Sequence, residues 1–169
     1  MYDGNYYRLM AEYNQWMNQK IYSVCAELPD EKRKENLGAF FKSIHGTLNH
    51  LIWADRVWLG RLSGQSFPVG PMGEDVYADF ETMHKERAKM DAFILDWAQS
   101  LREVWLVEPY QFTSVQDGKI RRAPAWVFVT QVFNHQTHHR GQLTTLLKQL
   151  GHDPGPTDIP WIPGVVEYA

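Results

Sequence analysis

A single cysteine, Cys25, leaves this chain of 169 residues without any internal disulfide. It reads as a small packed apolar residue rather than a nucleophile. No apolar run approaches the length of a membrane span, and the opening MYDGNYYRLM lacks the apolar core of a secretory signal. These absences predict a cytoplasmic protein with no membrane partner. A basic surplus is missing as well: the formal net charge is −3 and no segment gathers a basic face, which argues against nucleic acid as the main partner. Repeats and low-complexity segments are absent, so a single domain over residues 1–169 is expected.

Hydrophobic residues make up 44% of the chain, enough for a substantial core, and they recur at helical rather than alternating spacing. From Asp3 to Leu28 the residues Tyr6, Met10, Tyr13, Met17, Ile21, Val24 and Leu28 repeat at three- and four-residue steps, which predicts a first helix closed by Pro29. Asn14, Trp16 and Asn18 fall outside that stripe, as surface or supporting residues. The mixed run Asp30 to Glu35 reads as a solvated connection. A second helix is predicted from Leu37 to Leu62, with Phe41, Ile44, Leu48, Leu51, Ile52, Leu59 and Leu62 as its core face. The loop SGQSFPVGPMG after it suggests a long crossover. A third helix is expected from Val76 to Leu101, with His84 off its seam and solvated. Asp117-Gly118 between short extended runs then predicts a small irregular hairpin.

The last predicted helix, Pro124 to Leu150, carries His135, His138 and His139 within five residues. Pro124 suits a first turn and Gly151 a C-terminal stop. At roughly 100° per residue, His135 and His139 share the stripe of Phe128, Val132, Leu146 and Leu150, whereas His138 turns towards Gln131, Asn134 and Thr145. Two inward imidazoles one turn apart bring donors and acceptors that a dry core does not satisfy. A divalent metal satisfies both; hydrogen bonding to neighbouring core side chains is the plainer alternative. On the second helix, His50 lies on a stripe of small residues, Ser43, Gly46, Thr47, Ala54 and Val57, that leaves room for a neighbouring helix and a ligand. His50 is the candidate third ligand, and a buried histidine bonded to a carbonyl or to Asn49 is the competing reading. His45 lies about 140° away round the helix and does not share an ion with His50.

The segments TLNHLIWADRVWL, FNHQTHHRGQL and LGHDPGPTDIPW together closely resemble the DinB family, within the wider DinB/YfiT-like metalloenzyme superfamily, over nearly the whole chain. The resemblance implies an all-α four-helix bundle in up-down-down-up order, commonly a homodimer. It also implies a metal held by one histidine of the second helix and two of the last, here His50, His135 and His139. His45 and His138 are then neighbours that orient a ligand or substrate. Zinc or nickel leads as the divalent metal, with iron or manganese next, since imidazole suits all four.

Three protein ligands leave a coordination position open to water or substrate. Some relatives in the superfamily are thiol-dependent S-transferases, so the leading expectation is a metal-dependent enzyme acting on a small-molecule substrate, with water or a low-molecular-weight thiol at the open position. Transferase stands slightly ahead of hydrolase. A metal-binding protein without turnover, closed by a fourth ligand such as His138 or a carboxylate, is the second reading, and a structural dimerisation bundle the third. No general acid or base stands out: Glu12 and Asp55 suit surface or interhelical pairs, Asp158 a structural cap, Arg140 and Gly141 helix packing, and Gln142 a substrate contact. Trp53, Trp58 and Trp126 suit core packing first, and an apolar substrate pocket or dimer interface second.

Overall fold

The computed structural model describes residues 4–114 and 117–167. It is mostly helical, with four long helices and one small two-stranded sheet. The chain runs α1 (Gly4–Ala26), α2 (Asp30–Lys34), α3 (Ile44–Ser63), α4 (Phe80–Ser100), α5 (Glu103–Leu106), β1 (Pro109–Thr113), β2 (Ile120–Pro124) and α6 (Ala125–Gln149), followed by a 3-10 turn at Ile159–Trp161. The long helices α1 and α3 each pack against both α4 and α6.

Helix ends follow local chemistry. Ser43 caps α3 by accepting the Gly46 N–H at 3.0 Å, and Gly64 in the left-handed region closes it. Asp79 caps α4 through the N–H groups of Glu81 and Thr82. Beyond α6, His152 N–H reaches the Leu147 carbonyl and Gly151 N–H the Lys148 carbonyl, a Schellman closure. The predicted hairpin is present, paired antiparallel from Pro109↔Pro124 to Thr113↔Ile120, and α6 follows β2 without a connecting loop.

Three expected boundaries move. The third helix begins at Phe80 rather than Val76, because Asp79 supplies the cap. Residues Asp30–Lys34 form a helical turn in which Arg33 donates to the Cys25 carbonyl. The second helix starts at Ile44, not Leu37: residues 39–42 make a tight turn, with Lys42 at φ 66°, and Phe41 lies outside the helix whose core face it was expected to join.

The buried face of α1 is also rotated from expectation. It carries Tyr7, Ala11, Asn14, Met17, Asn18, Ile21 and Cys25, while Tyr6 is 50% exposed. Cys25 is buried as expected, and burial pushes its thiol up to about 12.

The core divides into two apolar clusters with a polar layer between them. One contains Ile21, Leu48, Met83 and Leu143; the other contains Ala11, Leu59, Ile94 and Val132. Between them Asp55 bonds Arg87 at 2.5 Å and Gln136 at 2.8 Å, and Asp91 pairs with Arg87 at 2.8 Å. Asn14 and Asn18 both donate to Asp91. Arg140 donates to Asn14 and lies over the Tyr13 ring. Burial works against the Arg87 charge, but Asp91 and Asp55 outweigh it and hold the guanidinium protonated.

Candidate metal centre

α3 supplies His50 and α6 supplies His135 and His139, one turn apart on the face that packs against α3. Their Nε2 atoms converge: His50 to His135 is 3.2 Å and His139 to His135 is 3.1 Å. A tetrahedral zinc at about 2.0–2.1 Å from each nitrogen separates two ligand nitrogens by about 3.3 Å, close to these spacings.

The protons explain why such a cluster suits a cation. Gln142 Oε1 lies 2.7 Å from His139 Nδ1, and a carbonyl oxygen only accepts, so Nδ1 carries the proton and Nε2 presents a lone pair. A single proton on His135 Nε2 would then have to serve both neighbours. His50 Nδ1 is meanwhile buried with no hydrogen-bond partner. A divalent ion bound by three lone pairs removes the conflict. The three histidines form a group that could hold a metal, with ligand atoms all within 4.8 Å of one another.

Electrostatics favour the ligating form. Burial draws His50 down to about 3, with His139 and His135 adding to the shift. Burial also draws His135 down to about 4, reinforced by His139 and opposed by Asp55. His139 is lowered by burial too, against the hydrogen bond to Gln142. All three are neutral near pH 7, as metal binding requires.

Aromatic rings clamp the cluster. Phe41 stacks on His50 with centroids 3.8 Å apart and sets its edge against His139. Trp53 stacks near-parallel to His50 at 6.0 Å. The turn at 39–42 puts Phe41 there, and Gly46 permits it, because a Cβ at 46 would collide with the Phe41 carbonyl. The small residue at 46 thus admits a backbone turn rather than a neighbouring helix.

His45 and His138 stay outside the cluster. His45 is buried, with Nε2 3.4 Å from Asp75, and shares with His50 a cavity of about 750 Å³. His138 is exposed, its Nε2 3.2 Å from Gln142 Nε2. Gln142 therefore contacts two histidines. His84, expected to be solvated, is half-buried against Tyr22 and Phe80.

Among the described residues no carboxylate is grouped with the three histidines. Asp55 is an interhelical partner, Glu12 pairs with Arg8 on the surface, and Asp158 caps the 3-10 turn without a side-chain bond. Arg140 packs between helices as expected, but Gly141 does not: a Cβ there would meet open space.

The DinB family model matches residues 1–165. The chain belongs to the DinB family. It is similar to Protein DinB of Bacillus subtilis (strain 168), with 29% identity over 155 residues and 88% of each chain covered. Family membership and the three-histidine group together fit a metal-binding DinB-like protein. In this DinB chain the histidines border the polar layer, since Gln136 and Arg140, each next to one of them on α6, belong to it. Among the described residues, no helix is long and apolar enough to cross a membrane.

Proposed function

We propose that this protein is a metal-dependent enzyme in which His50, His135 and His139 are the protein ligands of a divalent ion, zinc or nickel first. The observation that carries the reading is the convergence of three neutral Nε2 atoms with no fourth histidine, cysteine or carboxylate grouped with them among the described residues. The side chains best placed to close the site are engaged elsewhere: His138 lies on Gln142, and Asp55 is held by Arg87 and Gln136. A divalent ion held this way supplies a Lewis acid that activates water or holds a thiolate at the open position. Gln142 fixes the His139 tautomer, Phe41 and Trp53 fix the plane of His50, and both rings limit water around it.

Thiol transfer to a small molecule leads, with hydrolysis as the runner-up; this ordering, like a cytoplasmic homodimer, rests on family resemblance. The four long helices form an up-down-down-up bundle in this reading. The order in which they meet the two apolar clusters supports it: α1 and α6 run from the Ala11–Val132 cluster to the Ile21–Leu143 cluster, and α3 and α4 run the other way.

The test is to assay zinc- and nickel-loaded protein with L-cysteine and 1-chloro-2,4-dinitrobenzene, and separately with p-nitrophenyl acetate. Faster turnover by the parent than by His139→Ala in either assay is expected. Equal rates in both assays would contradict the enzymatic reading.

A further inference from the structure

A second, larger cavity of about 1320 Å³ lies beyond Trp53, and none of the three clustered histidines lines it. Trp53 and Met72 border both this cleft and the smaller cavity that holds His50, so the two adjoin at Trp53. Its walls come from four places. The C-terminal half of α3 contributes Trp58 and Arg61, the loop between α3 and α4 contributes Phe67, the hairpin contributes Phe112, and the start of α6 contributes Trp126 and Phe128. The hairpin is fixed as a wall by Tyr110, whose hydroxyl donates to the Arg61 carbonyl at 2.6 Å, and by Phe112, which meets Trp58 and Phe128 edge-on.

Arg61 stands out on this wall. Its guanidinium lies over two rings, 4.4 Å from the Phe112 centroid and 5.2 Å from that of Trp58. Every other wall arginine has a polar partner: Arg56 donates to the Tyr77 hydroxyl and the Pro68 carbonyl, and Arg121 pairs with Asp117. Arg61 makes no ion pair with a carboxylate among the described residues. Burial pulls its pKa down, and only the Tyr110 hydroxyl opposes. A half-buried cation held against aromatic faces in an apolar cleft, with no carboxylate beside it, is placed to receive an anion.

We propose that this cleft binds an organic anion with a flat or aliphatic apolar body, the body lying among Trp58, Trp126 and Phe128 and the anionic group on Arg61. Large apolar cavities with one placed charge are the usual form of small-molecule sites, and an arginine fork matches a carboxylate, sulfonate or phosphate. As a substrate cleft, with Trp53 between it and the histidines, it rests on the metal-enzyme reading above. As a binding site it stands without it.

The test is calorimetric titration of the full chain with 2-naphthalenesulfonate, a poor metal ligand, and with neutral 2-naphthalenemethanol. The parent should bind the sulfonate at least tenfold more tightly than the alcohol. Arg61→Gln should erase that preference, and Arg61→Lys should keep part of it. His135→Ala should bind the sulfonate as the parent does, whether or not the protein holds metal, so failure of the metal reading leaves this result intact. Equal binding of both probes by the parent would overturn the proposal without reference to any variant. So would loss of sulfonate binding in His135→Ala with retention in folded Arg61→Gln, which would place the anion at the histidines.

Discussion

Gln142 accepts the Nδ1 proton of His139 at 2.7 Å, and so aims the His139 Nε2 lone pair at His135. The two residues sit on one face of α6, three positions apart, where side chains meet. Removing such an orienting partner commonly costs about 10–100-fold in metal affinity. Gln142→Leu should therefore weaken zinc binding by that order in a competition titration against a chromophoric chelator, and His138→Ala should keep most of the affinity. Unchanged affinity in Gln142→Leu would remove Gln142 from the site.

Gly46 holds open the space occupied by the Phe41 carbonyl. Gly46→Ala should force the 39–42 turn away and carry the Phe41 ring off His50. Overpacking of this kind costs about 1–3 kcal/mol. Urea denaturation should register that loss, and zinc affinity should fall with it. An unaltered midpoint would mean that the turn yields without strain.

Much of this arrangement is legible in the sequence, and the exceptions share a cause. Hydrophobic spacing locates the four long helices, and the i, i+4 histidine pair faces inward as its angular position requires. The spacing puts Phe41 on the helix because an aromatic ahead of an apolar stripe extends the helical pattern backwards, although Ser43, a good N-cap, stands two residues later. Asp55 and Arg140 suit interhelical roles one by one, but the polar layer that joins them to Asn14, Asn18, Arg87, Asp91 and Gln136 is hidden, because a stripe of apolar residues is blind to a buried charge. Its trace is a gap: the α3 face skips from Ile52 to Leu59 where Asp55 sits, and the α4 seam skips from Met83 to Met90 where Arg87 sits. On α1 the hidden Asn14 and Asn18 displaced the reading by one column, towards Tyr6 and away from Tyr7 and Ala11. Coincident gaps on several helices are the available signal.

That layer should be costly to break. Arg87 is 2% exposed and serves Asp55 and Asp91 together. Arg87→Leu leaves two buried carboxylates without their cation, and losing one partner of a buried pair costs about 3–5 kcal/mol. The surface pair Arg8–Glu12, with side chains 58% and 32% exposed, should yield under about 0.5 kcal/mol when broken. Urea unfolding of Arg87→Leu and Glu12→Ala compares them; similar losses would deny the layer its role.

Acid should destabilise the metal-free protein. Burial first, then neighbouring histidines, holds His50 at about 3 and His135 at about 4. An unfolded histidine titrates near 6.5, so between that pH and about 4 the unfolded chain binds more protons than the folded one. Their contribution to stability is therefore present above about pH 6.5 and is lost as the pH falls towards 4. The Tm should drop between pH 7.5 and 5, and His50→Phe should flatten the drop. Identical profiles would show that these histidines do not govern it.

In the proposed site His50, His135 and His139 jointly hold one metal ion. Plasma mass spectrometry of untagged protein, purified without added metal and then titrated with zinc, tests it most directly alongside His50→Ala, His135→Ala and His139→Ala. Close to one ion per chain is expected in the parent and little in each variant, with helical content retained. No ion in the parent even after titration, or full occupancy in any one of the three variants, would contradict it.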